Sequence, residues 1–371
     1  MFLVGPNGAG KSNFLDALRF VADALRNSLD YALRDRNSIR EVRRRSGGHP
    51  THFSLRFDFD LPTGESGFYA FRIGATDAGG FKVQSEECRV SGFLERPEAH
   101  FQIADGKVVS ASFDPRPASL NDRLYLVAAS GIAAFRPVFD ALSHLEVYNL
   151  NPSVIGSMQK PDPGEILRRD GGNAASVLRR FPKELHDAVL HDLARIVPGI
   201  SAIDYRALGS LETIEFRQIV QGQEHPWKFL ADSMSDGTLR ALGVLLAVYQ
   251  GNIAAADGVR PLTVGLEEPE IALHPAAAHV LLGALREGAR HCQILVTSHS
   301  PDLLDVEDIP DSALLAVDNN QGLTTIGPID PESRDLIRQR LFTPGELLRQ
   351  NQLMPSLTAF AGARQTPVAS F

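Results

Sequence analysis

The run GPNGAGKS at Gly5 to Ser12 has the residue types and spacing to hold a string of phosphates. It fits G-x-x-x-x-G-K-[ST], in which glycines free backbone N–H groups to ring phosphate oxygens and the start of a following helix adds positive potential. Gly5, Gly8 and Gly10 permit that close approach, and Pro6, Asn7, Ala9 and Asn13 complete the run. Lys11 would reach β- and γ-phosphates, and the Ser12 hydroxyl would ligate Mg²⁺. A glycine turn that binds nothing is the plainer alternative. The apolar strand expected before the run and the helix expected after it weigh against that alternative.

Three further places could complete such chemistry. Glu267 and Glu268 follow the apolar strand LTVGL, at the edge where open α/β sheets bind ligands. In phosphoryl transfer the first acid of such a pair holds Mg²⁺, usually through water, and the second orients the attacking water. His299, in TSHSP, comes just after a second core strand, Ile294 to Thr297, within reach of a γ-phosphate. Ser235 and Gly237, in SMSDGTLR, open an amphipathic helix, a place that is an N-cap and an anion site at once. Taken singly, each has a plainer reading: solvated glutamates, a structural histidine and an ordinary cap.

The elements around these residues follow from periodicity. Phe14, Leu15, Leu18, Val21, Ala22, Leu25, Leu29 and Leu33 recur at helical spacing and predict one long helix leaving the glycine loop. From Thr51 the period becomes two, as Phe53, Leu55, Phe57, Phe59 and Leu61 alternate with polar residues. With the strands after PTGESG, GFKVQSEECRV and HFQIADGKVV, this predicts an antiparallel sheet with a hairpin at Asp105-Gly106. Residues from about 121 to 217 read mainly as helices, an inserted helical arm. Beyond Trp227, helices at Gly237 to Ala255 and Pro275 to Arg290 alternate with strands at Leu262 to Leu266 and Ile294 to Thr297. Ala313 to Asp318 then turns through NNQG into Leu323 to Ile326. Alternating helix and strand is the pattern of a parallel sheet covered by helices.

The chain has 371 residues, 43% of them hydrophobic and 22% charged, enough for one large or two ordinary cores. No stretch approaches the roughly 20 apolar residues that span a membrane. The start MFLVGPNG has no charged leader, and the cysteines are only Cys88 and Cys292, so a cytoplasmic protein with reduced thiols is expected. A net charge of −8 excludes coating nucleic acid by charge alone. The local run Arg34 to Arg45, with Arg36, Arg40, Arg43 and Arg44, is a candidate surface for DNA, or simply a solvated face.

The order GPNGAGKS, SMSDGTLR, LTVGLEEPEIALHP and VTSHSP resembles the ABC-type ATPases. It looks most like their SMC/RecF-like and OLD-like branch, the AAA-type ATP-binding domain 21 family. SDGT in place of SGGQ, EEPE followed by LHP, and TSHSP after the last core strand favour this branch over transporter ATPases. The ending FTPGELLRQNQLMP is also like the tails of such proteins.

The resemblance implies an α/β P-loop NTPase, an ABC-ATPase-like head with a mainly parallel core sheet, an antiparallel β subdomain and an inserted helical arm. On this reading 1–120 is the N-terminal part of the head and 121–217 the arm. Residues 218–330 carry the signature, the acidic pair and the histidine, and 331–371 form a tail. The resemblance further implies ATP and Mg²⁺ as cofactors and a homodimer with two composite sites, in which Ser235 reaches the γ-phosphate held by the other subunit. Glu267 becomes the Mg²⁺-associated acid, Glu268 the base and His299 the γ-phosphate sensor. The glutamine that senses Mg²⁺ in such heads has no clear counterpart; Gln84 and Gln102 match by residue type alone. The expected role is an ATP-driven switch in DNA repair or anti-phage defence. A regulatory subunit of a nuclease or toxin system is the alternative, with no Toprim nuclease of its own, and a transporter ATPase is a weaker third.

Overall fold

The computed structural model describes residues 1–43, 51–76, 79–93, 96–252, 261–306 and 309–356. They build two compact units, one from Met1–Leu15 with the chain from Glu146 onward, the other from Asp16–Leu145.

The first unit is organised by a six-stranded sheet. Its order is Leu323–Pro328, Leu314–Asn320, Phe2–Val4, Gln293–Ser298, Thr263–Glu267 and Leu145–Tyr148. Phe2–Val4 runs parallel to both of its neighbours, and Thr263–Glu267 runs parallel to Gln293–Ser298. Such strands are covered on both faces, so their residues are apolar throughout rather than alternating. Leu3, Val4, Val264 and Val296 are all buried. The outermost pair is an antiparallel hairpin whose turn residues Gln321 and Gly322 both have positive φ, 51° and 79°. A two-residue turn of that kind matches the twist of the flanking strands.

The register sets the site. Val4 lies opposite Ser298, and Glu267 opposite Thr297. Gly5, Glu268 and His299, each one residue further along, therefore leave the sheet at one edge. Among the covering helices, Asp236–Tyr249 buries Leu242, Leu245 and Leu246 completely and packs against Lys183–Ile196. It gives way to a short 3₁₀ turn at Gln250–Asn252, and the remainder of the helix expected to Ala255 lies outside the described residues.

The stretch 121–217 is not uniformly helical. It holds helices at Tyr125–Ala129, Arg136–Ser143, Pro152–Gly156, Ala174–Arg180 and Lys183–Ile196. It also supplies the core strand Leu145–Tyr148 and the antiparallel strands Ile200–Leu208 and Leu211–Gln218, which Trp227–Leu230 extends to a three-stranded sheet. Ile200, Ile203, Ile214 and Phe216 face the core of the unit. A bulge between Ile200 and Ala202 breaks the alternation that would have marked the first of these strands.

In the second unit a five-stranded antiparallel sheet runs in chain order through His52–Asp60, Ser66–Ala75, Phe81–Phe93, Arg96–Ala104 and Lys107–Ala111. The expected turn is present, with Asp105 and Gly106 at φ 44° and 73°. The helix expected to run on to Leu33 ends at Arg26, and a separate one spans Leu29–Arg34. Ser28 makes the break: its backbone is extended and its side chain accepts a hydrogen bond from the Tyr31 N–H, the signature of a helix start. Apolar spacing stays in phase across that cap, which hides it from a periodicity reading. Gln84 and Gln102 lie on strands of this second unit.

Candidate functional site

The glycine loop leaves the strand Phe2–Val4 and enters the helix Lys11–Arg26. A Cβ on Gly5 would sit 2.1 Å from the Val317 carbonyl oxygen, so the loop can lie against the neighbouring strand only with glycine there. Gly8 meets no such obstacle, but its φ of 77° is a conformation that costs other residues about 1–2 kcal/mol. Lys11 is buried, and its ammonium donates to the carbonyls of Gly5, at 2.7 Å, and Pro6, at 3.0 Å. Burial pushes that ammonium down from the ordinary lysine range, while Glu268 and Glu270 oppose the shift. Asn7 to Asn13 and Glu268 line a cavity of about 170 Å³.

Glu268 is the junction of this edge. Its φ is 45°, rare for a residue with a side chain, and its N–H donates to the carbonyl and to the hydroxyl of Thr297, at 3.0 and 3.3 Å. Its own carbonyl accepts from Arg240, at 3.2 Å. Its carboxylate Oε1 stands 3.0 Å from Nδ1 of His299. Glu267 is engaged on the other side, where Arg169 Nη2 donates to Oε1 at 3.2 Å.

Ser235 is the N-cap of the helix Asp236–Tyr249: its hydroxyl accepts from the Thr238 N–H at 3.3 Å and lies 2.9 Å from the Thr238 hydroxyl. Ser235 is exposed and does not line the glycine-loop cavity of its own chain. Gly237 has a packing reason for its identity, since a Cβ there would meet the Ala272 carbonyl oxygen at 2.5 Å.

The family described as "AAA domain, putative AbiEii toxin, Type IV TA system" matches residues 1–107 and 128–305. The chain belongs to this ATPase family. The first matched stretch contains the glycine loop, and the second contains Ser235, Glu267, Glu268 and His299. No curated protein matches the chain. Among solved structures it is similar to an SMC head bound to the C-winged helix domain of ScpA, at 12% identity and TM-score 0.48 over 90% of this chain and 91% of that one. It is also similar to the SMC head domain from Thermotoga maritima, at 13% identity and TM-score 0.38 over 89% of each chain. An SMC head with an extended coiled coil bound to the C-terminal domain of ScpA, from Pyrococcus furiosus, gives 11% identity and TM-score 0.43 over 92% of each.

Sequence reasoning missed three residues of this AAA-domain ATPase that touch the acidic edge. Glu270 accepts from the Ser298 hydroxyl at 2.5 Å, its other carboxyl oxygen is buried without a partner among the described residues, and burial raises its pKa above the usual carboxylate range. The available signal was its place in EEPE, two residues past Glu268. Arg169 comes from a distant part of the chain and carries no local signal, whereas Arg240 closes the run SMSDGTLR, which was its available signal. No group of three or more metal-ligating side chains occurs among the described residues. No helix among them is long and apolar enough to cross a membrane.

The arginine run is less available than its sequence suggested. Arg36 is held by Asp16 at 2.8 Å and Asp23 at 3.2 Å, and Arg34 by Asp30 at 2.9 Å. Arg40 is exposed, and Arg43 caps the short helix Ile39–Val42. Arg44 and Arg45 lie outside the described residues.

Proposed function

We propose that this ATPase binds ATP with Mg²⁺ in the glycine loop and hydrolyses it at a site completed by a second copy of the chain. The observation that carries the reading is the Glu268–His299 pair, held at 3.0 Å, with Glu268 on the wall of the cavity that Asn7 to Asn13 form. Glu268 takes the proton of the attacking water, and its left-handed backbone fixes where its carboxylate stands. His299 keeps that carboxylate oriented by donating Nδ1–H to it and, with its second ring nitrogen also protonated, donates Nε2–H to the terminal phosphate. Lys11 and the N–H groups of Gly8 to Ser12 hold the phosphate chain.

Ser12 and Glu267 suit Mg²⁺, which takes few protein oxygens and keeps waters and substrate phosphates in its shell. The lack of a closed cage of ligands among the described residues agrees with that chemistry. When bound, the ion neutralises charge on the β- and γ-phosphates.

Ser235 is exposed at a helix start, apart from the cavity of its own chain, which suits a hydroxyl and dipole offered to the γ-phosphate of a partner. Among the described residues of the run Arg36 is spent on Asp16 and Asp23, which weighs against a DNA grip through Arg34 to Arg45. The family description, which speaks of a toxin–antitoxin system, favours a setting in genome defence with an effector partner. Release of phosphate from ATP by the wild type, and its loss in Glu268→Gln, tests the catalytic part. A wild type that binds ATP and releases none would overturn it.

A further inference from the structure

A second hollow, of about 690 Å³, opens beside the acidic edge and shares no lining residue with the glycine-loop cavity. Its size is that of a small-molecule site. Its charged lining is Arg168, Arg169, Arg240 and Asp170, three cations against one anion. The segment carrying the first two is fastened along the far wall, where Asn149 and Asn151 donate their N–H groups to the carbonyls of Arg169 and Asp170, at 3.1 and 3.0 Å.

The arginines are only partly used. Arg168 pairs with Asp162 at 2.8 Å. Arg169 spends Nη2 on Glu267, and Arg240 spends Nη1 on the Glu268 carbonyl. The Nε–H of both Arg169 and Arg240 is buried and has no partner among the described residues. A buried donor left unmade is costly, and the planar fork of Nε–H and Nη–H is the shape that grips a phosphate through two oxygens. Leu150 and Pro152 supply an apolar stretch of the same wall, suited to an organic group attached to that phosphate.

We propose that this hollow binds a small phosphate ester through Arg169 and Arg240, and that its occupant draws Arg169 away from Glu267. Arg169 belongs to both places, so an oxyanion in the hollow competes with the Glu267 carboxylate for the same guanidinium. Glu267 is then freed for a divalent cation. This coupling rests on the metal role read for Glu267 above; the binding site itself does not.

The test uses the full chain carrying Lys11→Ala, which weakens phosphate binding at the glycine loop, with adenosine monophosphate as the probe in calorimetry. One saturable site is expected, weakened at least about tenfold by Arg240→Gln and less by Arg240→Lys. Melting temperatures show that each variant is folded. No saturable binding, or binding unchanged by Arg240→Gln in a folded protein, would overturn the site. Binding of a short oligonucleotide without terminal phosphates in place of the monophosphate would overturn the small-molecule assignment.

The coupling is read by Mn²⁺ titration followed by electron paramagnetic resonance. The monophosphate should tighten Mn²⁺ several-fold, and Arg169→Gln should tighten it alone and abolish the effect of the probe. Monophosphate binding that leaves Mn²⁺ affinity unmoved would overturn the coupling while leaving the site, and hydrolysis of ATP by the wild type separates either failure from a failure of the catalytic reading.

Discussion

Glu268 and His299 lie on different strand ends, yet their side chains meet at 3.0 Å because the parallel register sets Glu267 beside Thr297. If they act as one unit, their losses should not add. Glu268→Gln should lower the rate of ATP hydrolysis by about 10²–10⁴ and His299→Ala by a smaller factor, with the double variant no slower than Glu268→Gln. Single-turnover phosphate release measures all three. A double variant slower by the product of the two factors would separate the residues.

Ser235 has a stabilising job as an N-cap, so its loss alone does not establish a role in catalysis. Ser235→Ala should cost about 1 kcal/mol of stability through the cap. It should also remove hydrolysis while leaving ATP affinity of the dilute monomer unchanged, because its own cavity does not include it. Denaturation and nucleotide titration at low protein concentration separate the two effects. Hydrolysis that survives with only the stability loss would leave Ser235 a cap.

Arg36 and Arg34 sit two residues apart in one arginine run and should respond differently. Arg36 is nearly buried among Asp16, Asp23 and the Ala32 carbonyl, so Arg36→Ala should cost about 1–2 kcal/mol after allowing for the exposure of Asp16. Arg34, exposed and paired with Asp30 among the described residues, should cost less than about 0.5 kcal/mol. Urea denaturation of the two variants checks this. Equal effects would mean that the Arg36 network contributes nothing beyond a surface pair.

Glu86 gives the second unit a pH-dependent stability. Its carboxyl accepts from the Tyr69 hydroxyl at 2.9 Å, the Leu126 N–H at 2.8 Å and the Tyr125 N–H at 2.5 Å, all in the interior. Burial outweighs those bonds and raises its pKa from 4.5 to about 7. The folded state then holds the proton more tightly than the unfolded one. Its stabilising contribution is full below about pH 4.5 and is lost as pH rises to about 7, by about 3 kcal/mol in total. The unfolding free energy of wild type minus that of Glu86→Gln should fall by this amount across that window. A difference that stays constant would show that Glu86 does not titrate there.

The parts of the site that could be read from sequence are those written in consecutive residues. GPNGAGKS is legible because three glycines and a lysine at fixed spacing have few other uses, and Glu267, Glu268 and His299 because each follows an apolar run. Arg169 is not legible, since its partner Glu267 is 98 residues away and only the sheet order brings the two together. The hairpin of Ile200–Leu208 and Leu211–Gln218 was hidden by its bulge, and the break at Ser28 by apolar spacing that continues through it. In the first case a local backbone event breaks the period, and in the second it interrupts the helix while the period stays intact.

Closure of two copies of the chain on ATP through Ser235 is read most directly from the mass of Glu268→Gln in solution with and without ATP and Mg²⁺. Glu268→Gln should be a monomer without nucleotide and a stable dimer with it, reversed by adding Ser235→Arg to the same chain. A Glu268→Gln protein that binds ATP and remains a monomer would contradict it.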